Sequence, residues 1–304
     1  MSEIKDTPGM GWLRDIPDFH DLTDDSDELT SKQKRMGQTE TMKQLIERVE
    51  SPGGKKRKLE KKVDLRQWCS PIEHQGSLGS CTAHAGVGVL EYFERKAHGK
   101  HIDASRLFLY KTTRNLLNQK GDTGAYLRTT MKAMVLFGVP PEEYWKYNID
   151  DFDKEPTAFC YSFAQNYQAI NYYRLDYSGI TTEQLLKKIR HNLNAGLPCM
   201  FGFTVFTSIS GVKKDGKIPF PGWGDRMVGG HAVVAVGYND EMKIRGSSRK
   251  DEETTGAILI RNSWGTEWGD EGYGWLPYKY IMKGLAVDWW SLIKSEWIDT
   301  HNFD

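Results

Sequence analysis

The strongest constraint on the fold is a change of pattern near residue 198. Before this point, apolar residues recur at helical spacing and predict helices over residues 80–96, 105–117 and 126–137. After it, short Val-rich runs predict strands over residues 200–206, 231–238 and 257–260. A helical half followed by a strand-rich half predicts an α+β protein.

Charge and hydropathy exclude several function classes. The 304 residues include 41 basic and 41 acidic side chains, so the chain lacks the net positive field that non-specific nucleic-acid binding needs. The mean hydropathy is -0.60, and no apolar run reaches the length of a membrane span. The first residues contain no apolar signal region, and the four cysteines show no C-x-x-C spacing. We therefore expect reduced thiols, a cytoplasmic location, and neither nucleic acid nor membrane as partner.

The first 62 residues differ from the rest of the chain. A short apolar and aromatic island over residues 10–22 precedes a predicted amphipathic helix over residues 31–50, which Pro52 and two glycines end. A basic linker over residues 55–62 follows, and its like charges favour a solvated, extended segment that a protease can cut.

A glycine-rich run leads into a helix that begins with a cysteine. It reads Gln75-Gly-Ser-Leu-Gly-Ser-Cys81-Thr-Ala-His-Ala85. The start of a helix carries a partial positive charge and free N–H groups, which lower the pKa of a thiol and stabilise a developing anion. Cys81 is therefore a candidate nucleophile that could be ionised at neutral pH. Taken alone, the segment fits a buried structural cysteine better.

Two later segments place polar residues beside apolar strands. They read Gly229-Gly-His231-Ala-Val-Val-Ala-Val-Gly237 and Ile258-Leu-Ile-Arg-Asn262-Ser-Trp-Gly. Nucleophilic catalysis by a thiol needs a base within about 3 Å and a third group that orients the base. Cysteine, histidine and asparagine are a suitable set, although each of the latter two alone could be an ordinary core or turn residue.

Together the three segments resemble the papain-like (cathepsin-type) cysteine peptidases. The motifs of that family read Gln-Gly-x-Cys-Gly-Ser-Cys-Trp, His-Ala-Val-x-x-Val-Gly-Tyr and Asn-Ser-Trp-Gly-x-x-Trp-Gly-x-x-Gly-Tyr, in this order along the chain. The resemblance runs from about Val63, which matches the start of a mature enzyme, to beyond Tyr273. It implies a two-lobed α+β fold, with a helical lobe over residues 63–195, a β-barrel-like lobe over residues 196–304, and the active-site cleft between them.

The resemblance also implies a role for each matching position. Cys81 would be the thiolate nucleophile, His231 its imidazolium partner, and Asn262 the residue that orients the imidazole. The side chain of Gln75 and the backbone N–H of Cys81 would form the oxyanion hole. Trp264 would shield the hydrogen bond between His231 and Asn262 from water. The implied reaction is endopeptidase hydrolysis of a peptide or protein through a thioester acyl-enzyme, without cofactor or metal.

Substrate-binding positions follow from the same resemblance. Gly124 and Ala125 replace a Gly-Gly pair whose backbone pairs with the substrate. Small residues would line the pocket for the substrate residue two before the scissile bond, and Asp288 at its floor could favour a basic side chain. The remaining assigned positions are Leu127, Gly202, Gly229, Gly230, Ala232 and Trp264.

The sequence departs from the family pattern at one disulfide. Its two cysteines are replaced by Leu78 and Asp122, and the paired loss fits a reducing compartment. His84 shares the helix face of the nucleophile, and we interpret it as a core histidine. The pair His98 and His101 is a weak metal pattern without a third ligand.

The first 62 residues occupy the place of a propeptide but lack the long helix pattern of the family. We expect the island and the helix to pack on the peptidase and obstruct its cleft, so that cleavage near residues 55–62 releases activity. A permanent accessory segment without inhibitory role is the alternative. For the whole chain, the alternatives are a catalytically idle peptide-binding relative, or a peptide ligase or amidase that uses the same site.

Overall fold

The computed structural model describes residues 9–35, 37–167, 171–248 and 253–303, apart from the side chain of Lys32. Most of the helices lie in the first two thirds of the chain, and two short helices lie near its end. They are α1 (Ser31–Arg35), α2 (Met42–Glu50), α3 (Cys81–His98), α4 (Arg106–Leu116), α5 (Leu127–Leu136), α6 (Ala158–Ala164), α7 (Thr182–Asn194), α8 (Tyr278–Met282) and α9 (Ser295–Ile298).

Helix α3 is the central helix, and it positions Cys81 at its first turn. Most of its residues are buried, in line with the small and apolar side chains that make up most of its first three turns. It ends at Gly99, whose φ of 72° lies in the left-handed region that glycine adopts without strain. The predicted helices over residues 80–96, 105–117 and 126–137 correspond to α3, α4 and α5.

The strands form one large antiparallel sheet and one small parallel pair. They are β1 (Trp12–Leu13), β2 (Lys62–Asp64), β3 (Ala125–Tyr126), β4 (Asn171–Arg174), β5 (Cys199–Phe206), β6 (Met227–Arg245), β7 (Glu253–Arg261), β8 (Tyr273–Pro277) and β9 (Ala286–Ile293). The large sheet has the order β4-β9-β5-β6-β7-β8, and β2 pairs with β6.

The expected barrel is an open sheet. Among the described residues, no pairing joins the outer strands β4 and β8, so the sheet does not close. The molecule is α+β, as predicted, but its strand-rich part is not barrel-like. The sheet also takes β2 and β4 from the part of the sequence assigned to the helical lobe. Both strands are short, which is why their sequence patterns did not stand out.

The helix expected over residues 31–50 is two helices. Gly37 between them has a φ of 78°, which does not continue a right-handed helix. The side chain of Thr41 then caps α2 by accepting the N–H of Gln44, whose own side chain accepts the N–H of Thr41. The sequence pattern missed this capping box. Residue 36 lies outside the described residues.

The N-terminal segment packs on the rest of the chain at two places. The apolar face of α2 is buried against α7 and α9 through Met42, Leu45, Ile46 and Val49. Strand β1 runs parallel to β3, with Trp12 opposite Ala125. Two apolar residues of the predicted island, Ile16 and Phe19, are instead 75% and 91% exposed.

No helix among the described residues is both long and apolar enough to span a bilayer.

Candidate active site

Cys81 lies at the start of α3 and is fully buried. Burial raises the pKa of its thiol to about 11, because the thiolate is poorly solvated there. The backbone N–H groups of Ala232 and Gly11 lie near its sulfur and offset part of this effect. The expectation of an ionised Cys81 at neutral pH is therefore wrong for this form of the molecule, in which the thiol is neutral.

His231 on β6 is oriented by Asn262, which follows β7. The Nε2–H of His231 donates to Oδ1 of Asn262 over 2.7 Å, and this oxygen also accepts the backbone N–H of Ser263 over 2.8 Å. Since Oδ1 accepts both bonds, Nε2 of the imidazole carries the proton and Nδ1 keeps its lone pair. Within the described residues, Nδ1 makes no hydrogen bond. It is free to take a proton.

Trp264 covers the imidazole. Its ring stacks on His231 with a centroid distance of 4.5 Å and an interplanar angle of 24°. Burial lowers the pKa of His231 to about 4, although the bond to Asn262 favours the charged ring. The imidazole is therefore neutral at pH 7 in this form. Ala232 follows His231 directly, and its backbone N–H lies close enough to the sulfur of Cys81 to favour the thiolate, so Cys81 lies near the strand that carries His231.

Gln75 is buried beside this pair and held at both ends of its amide. Its Nε2 donates to the carbonyl oxygens of Gly9 and Leu78, each over 2.8 Å, and its Oε1 accepts the hydroxyl of Ser263 over 2.6 Å. Ser263 thus links Gln75 to Asn262. Sequence reasoning missed this positioning role, although the residue is part of the Asn-Ser-Trp motif.

The backbone of Gly124 and Ala125, which is predicted to pair with substrate, contacts the N-terminal segment instead. The N–H of Ala125 donates to the carbonyl of Gly11 over 2.8 Å. An added Cβ at Gly124 would overlap the same carbonyl. The segment therefore lies where the resemblance places a substrate backbone.

The predicted pocket residues gather around the same segment. Trp12 covers Gly202 and Gly230, Met10 covers Gly229, and Asp288 accepts the indole N–H of Trp12 over 3.0 Å. Leu127 is fully buried at the first turn of α5. Trp264, which was assigned both to substrate binding and to shielding, lies against His231.

A carboxylate occupies one of the two absent disulfide positions. Both oxygens of Asp122 lie 3.0 Å from the backbone N of Gly79, and Asp122 also accepts the hydroxyl of Tyr110. This contact holds the loop before the nucleophile next to the segment with Gly124. All four cysteines are free thiols. Apart from the replacement itself, no feature of the sequence indicated this contact.

The other candidate histidines lie outside this constellation. The Nδ1 of His84 contacts the carbonyl of Ser80 over 3.1 Å, and burial lowers the pKa of His84 to about 3, as expected for a core histidine. The described part of the chain contains no group of three or more His, Cys, Asp and Glu side chains that could hold a metal ion.

A comparison with known families decides the affiliation. The model of the papain family cysteine proteases matches residues 59–286, which cover the whole constellation from Gln75 to Asn262. The chain belongs to the papain family of cysteine proteases.

Individual relatives agree with this affiliation. An uncharacterised peptidase C1-like protein of Acanthamoeba polyphaga mimivirus is 36% identical over 252 residues, which are 81% of this chain and 76% of that protein. The thiol protease aleurain of Arabidopsis thaliana is 28% identical over 227 residues, which cover 72% of this chain but only 55% of aleurain. This plant thiol protease is thus matched over about half its length.

A solved structure extends the similarity into the N-terminal segment. Xylellain, a cysteine protease from Xylella fastidiosa, superposes with a TM-score of 0.70 at 29% identity. The superposition covers 96% of this chain and 98% of that of xylellain. Because the family model begins only at residue 59, most of the first 58 residues have counterparts in xylellain that the family model does not include.

Proposed function

We propose that this papain-family protease hydrolyses peptide bonds with Cys81, His231, Asn262 and Gln75, and that residues 9–22 hold it in a latent form. The first part is supported by the backbone of residues 9–11, which contacts Gln75 and lies near the sulfur of Cys81, and by Ala232, which follows His231 and lies near the same sulfur. The second part is supported by the same N-terminal backbone, which lies on Gln75, Cys81 and Ala125.

The reaction begins with proton transfer from the thiol of Cys81 to Nδ1 of His231. The thiolate attacks the substrate carbonyl carbon, and the resulting oxyanion accepts N–H bonds from Gln75 and from the backbone of Cys81. When the C–N bond breaks, the imidazolium donates its proton to the leaving amine. Water then attacks the thioester, gives a proton to the imidazole, and releases the acid and the thiol.

Asn262 and Trp264 prepare the imidazole for both transfers. Asn262 fixes the tautomer, because its Oδ1 accepts the Nε2–H and leaves Nδ1 for the thiol proton. Trp264 excludes water from this hydrogen bond, which strengthens it in the lower dielectric. The chemistry needs no group beyond side chains and backbone of this chain.

The N-terminal segment contacts the groups that would act on the substrate. The carbonyl of Gly9 accepts a hydrogen bond from the side-chain amide of Gln75, and the N–H of Gly11 lies near the sulfur of Cys81. An added Cβ at Gly9 would overlap the carbonyl of Leu78, and one at Gly11 that of Gly79. Only glycine fits at either position. The backbone of the segment therefore packs directly against the backbone of residues 78 and 79.

Latency has an electrostatic component in addition to the steric one. Burial under the segment raises the pKa of Cys81 and lowers that of His231, so both groups are neutral at pH 7. Departure of the segment admits water, which solvates the charged forms of both groups. The thiolate–imidazolium pair can then form.

Charged contacts anchor the segment beyond the cleft. Arg128 of α5 pairs with Asp15 over 3.2 Å and with Asp21 over 3.0 Å. Residues 55–62 connect this anchored part to β2, and the side chains of Lys55, Lys56 and Lys58 are exposed. We propose that cleavage in this linker starts the release, and that the enzyme, with its four free thiols, works in the reducing cytoplasm.

The deciding experiment compares the full chain with a chain that starts at Val63. We expect peptide hydrolysis by the shorter chain to exceed that of the full chain at least tenfold, with Cys81→Ala abolishing it in both. Equal rates would refute the latent form. Absence of hydrolysis by a folded shorter chain that an epoxide thiol inhibitor still labels at Cys81 would refute the peptidase and favour a peptide-binding relative.

A further inference from the structure

Trp12 fills the pocket that the family resemblance assigns to the substrate residue two before the scissile bond. Only 8% of Trp12 is exposed. Its ring lies over Gly202 and Gly230, and an added Cβ at Gly202 would overlap the ring. At Gly230 an added Cβ would come within 2.7 Å of the ring. The two glycines therefore form a flat slot that matches an aromatic ring.

Asp288 closes the end of this slot with a fixed hydrogen-bond acceptor. Its Oδ2 accepts the indole N–H of Trp12 over 3.0 Å, and its Oδ1 accepts that of Trp290 over 2.7 Å. The backbone of Asp288 has a φ of 64°, in the left-handed region. The carboxylate of Asp176 holds it there by accepting the backbone N–H groups of Asp288 and Trp289. Only Oδ2 faces the occupant of the slot.

The carboxylate of Asp288 already has a buried cationic partner, Arg174. Arg174 lies 3.4 Å from Oδ1 of Asp288 and 2.9 Å from Oδ1 of Asp176, and it is fully buried. A substrate Arg or Lys would lose its hydration in the slot, and it would have to share the carboxylates of Asp288 and Asp176 with Arg174, so the desolvation cost of a second buried cation opposes its binding. An indole N–H satisfies the same acceptor without bringing a charge.

From this geometry we infer that the slot selects a tryptophan side chain, so that the enzyme prefers substrates with tryptophan two residues before the scissile bond. The inference rests on the proposed peptidase function. It replaces the basic preference predicted from Asp288 alone, because the sequence did not reveal that Arg174 lies beside this carboxylate.

The first test ranks side chains in the slot without any catalysis. In the full chain, Trp12 is replaced by Phe, Leu and Arg, and alkylation of Cys81 is followed by intact mass. Phe keeps a ring but leaves Oδ2 of Asp288 without its donor, so we expect roughly tenfold faster alkylation than in the wild type. Trp12→Leu should be faster still, and Trp12→Arg the fastest. If Trp12→Arg protects Cys81 as well as the wild type, the inference is wrong.

The second test uses the full-chain Gly11→Ala variant, in which we expect the added methyl group to displace the segment, because it would overlap the carbonyl of Gly79. The substrates differ only two residues before the scissile bond, where they carry Trp, 1-methyltryptophan, Phe, Leu or Arg. We expect Trp to give the highest kcat/KM and 1-methyltryptophan to lose about tenfold, because it keeps the ring but lacks the donor. Faster hydrolysis of the Arg substrate would overturn the inference. If none of these substrates is hydrolysed, the proposed function is refuted instead. The alkylation rates of the Trp12 variants would still test which side chain the slot prefers.

Discussion

Replacing Gly11 by alanine should open the active site of the full-length chain without any cleavage. The Cβ of an alanine at this position would overlap the carbonyl of Gly79, which belongs to the backbone before α3 and cannot move aside. The N-terminal segment must therefore leave the cleft. It then loses the proximity of the Gly11 N–H to the sulfur of Cys81 and the hydrogen bond that the N–H of Ala125 donates to the carbonyl of Gly11.

The size of the effect follows from the docking free energy that the N-terminal segment loses. Burial of a tryptophan removes about 150–250 Å² of largely apolar surface from water, which at about 25 cal/mol per Å² contributes roughly 4–6 kcal/mol. If the substitution forfeits about 3–4 kcal/mol of this docking energy, the open population rises on the order of 100- to 1000-fold. The remaining anchors, α2 among them, keep the segment attached to the molecule.

The assay is the rate of alkylation of Cys81 at pH 7.5 by a small thiol reagent, read by intact mass. Gly211→Ala is the matched control, because nothing lies within 4 Å of the added Cβ and the backbone there needs no positive φ. We expect the control to behave as the wild type and Gly11→Ala to react at least 100-fold faster. Equal rates for the two alanine variants in folded protein would refute the blocking role of the segment.

Three further predictions concern the catalytic centre and its support. Gln75→Ala should lower kcat of the opened enzyme about 100- to 1000-fold with KM little changed, and an equal loss in KM alone would contradict an oxyanion role. Asp122→Ala removes the acceptor of the Gly79 N–H and should cost about 1 kcal/mol of unfolding free energy, measured by denaturant titration; an unchanged midpoint would contradict this role. The pKa of His231 is about 4 in the closed form against an ordinary 6.5, so the closed form binds fewer protons and loses stability as the pH falls from 6.5 towards 4. Hydrogen exchange over residues 9–22, corrected for intrinsic rates, should accelerate in that window, and unchanged protection would contradict the link.

The family, the α+β class and the segments of the site could be predicted from the sequence because their signals are local. Cys81 at a helix start, and His231 and Asn262 beside apolar strands, are each visible within about ten residues. The central helix is visible for the same reason, since its apolar positions and the Gly99 that ends it are adjacent in the chain.

The occupant of the cleft could not be predicted in the same way, because it depends on contacts between distant residues. The bond from Trp12 to Asp288 joins positions 276 residues apart, and it needs the left-handed backbone of Asp288 at an irregularity in the pairing of β5 with β9. The partner Arg174 comes from β4, a short strand that the sequence pattern did not indicate. The neutral thiol of Cys81 is a result of the same burial.

The break between α1 and α2 has a local cause that apolar spacing does not report. Spacing of apolar residues predicts one helix over residues 31–50, but Gly37 and the capping box at Thr41 interrupt it. A capping residue followed three positions later by Gln is a readable signal. It was outweighed by the apolar periodicity.

The most direct measurement of the central claim is the pH profile of Cys81 alkylation in the opened Gly11→Ala chain, with and without His231. If the thiol and the imidazole form a charged pair once the segment has left, reactivity reaches a plateau below pH 7, and His231→Ala in the same background moves the rise to the range of an ordinary thiol, near pH 8.5. A single rise near pH 8.5 in both proteins would contradict the account.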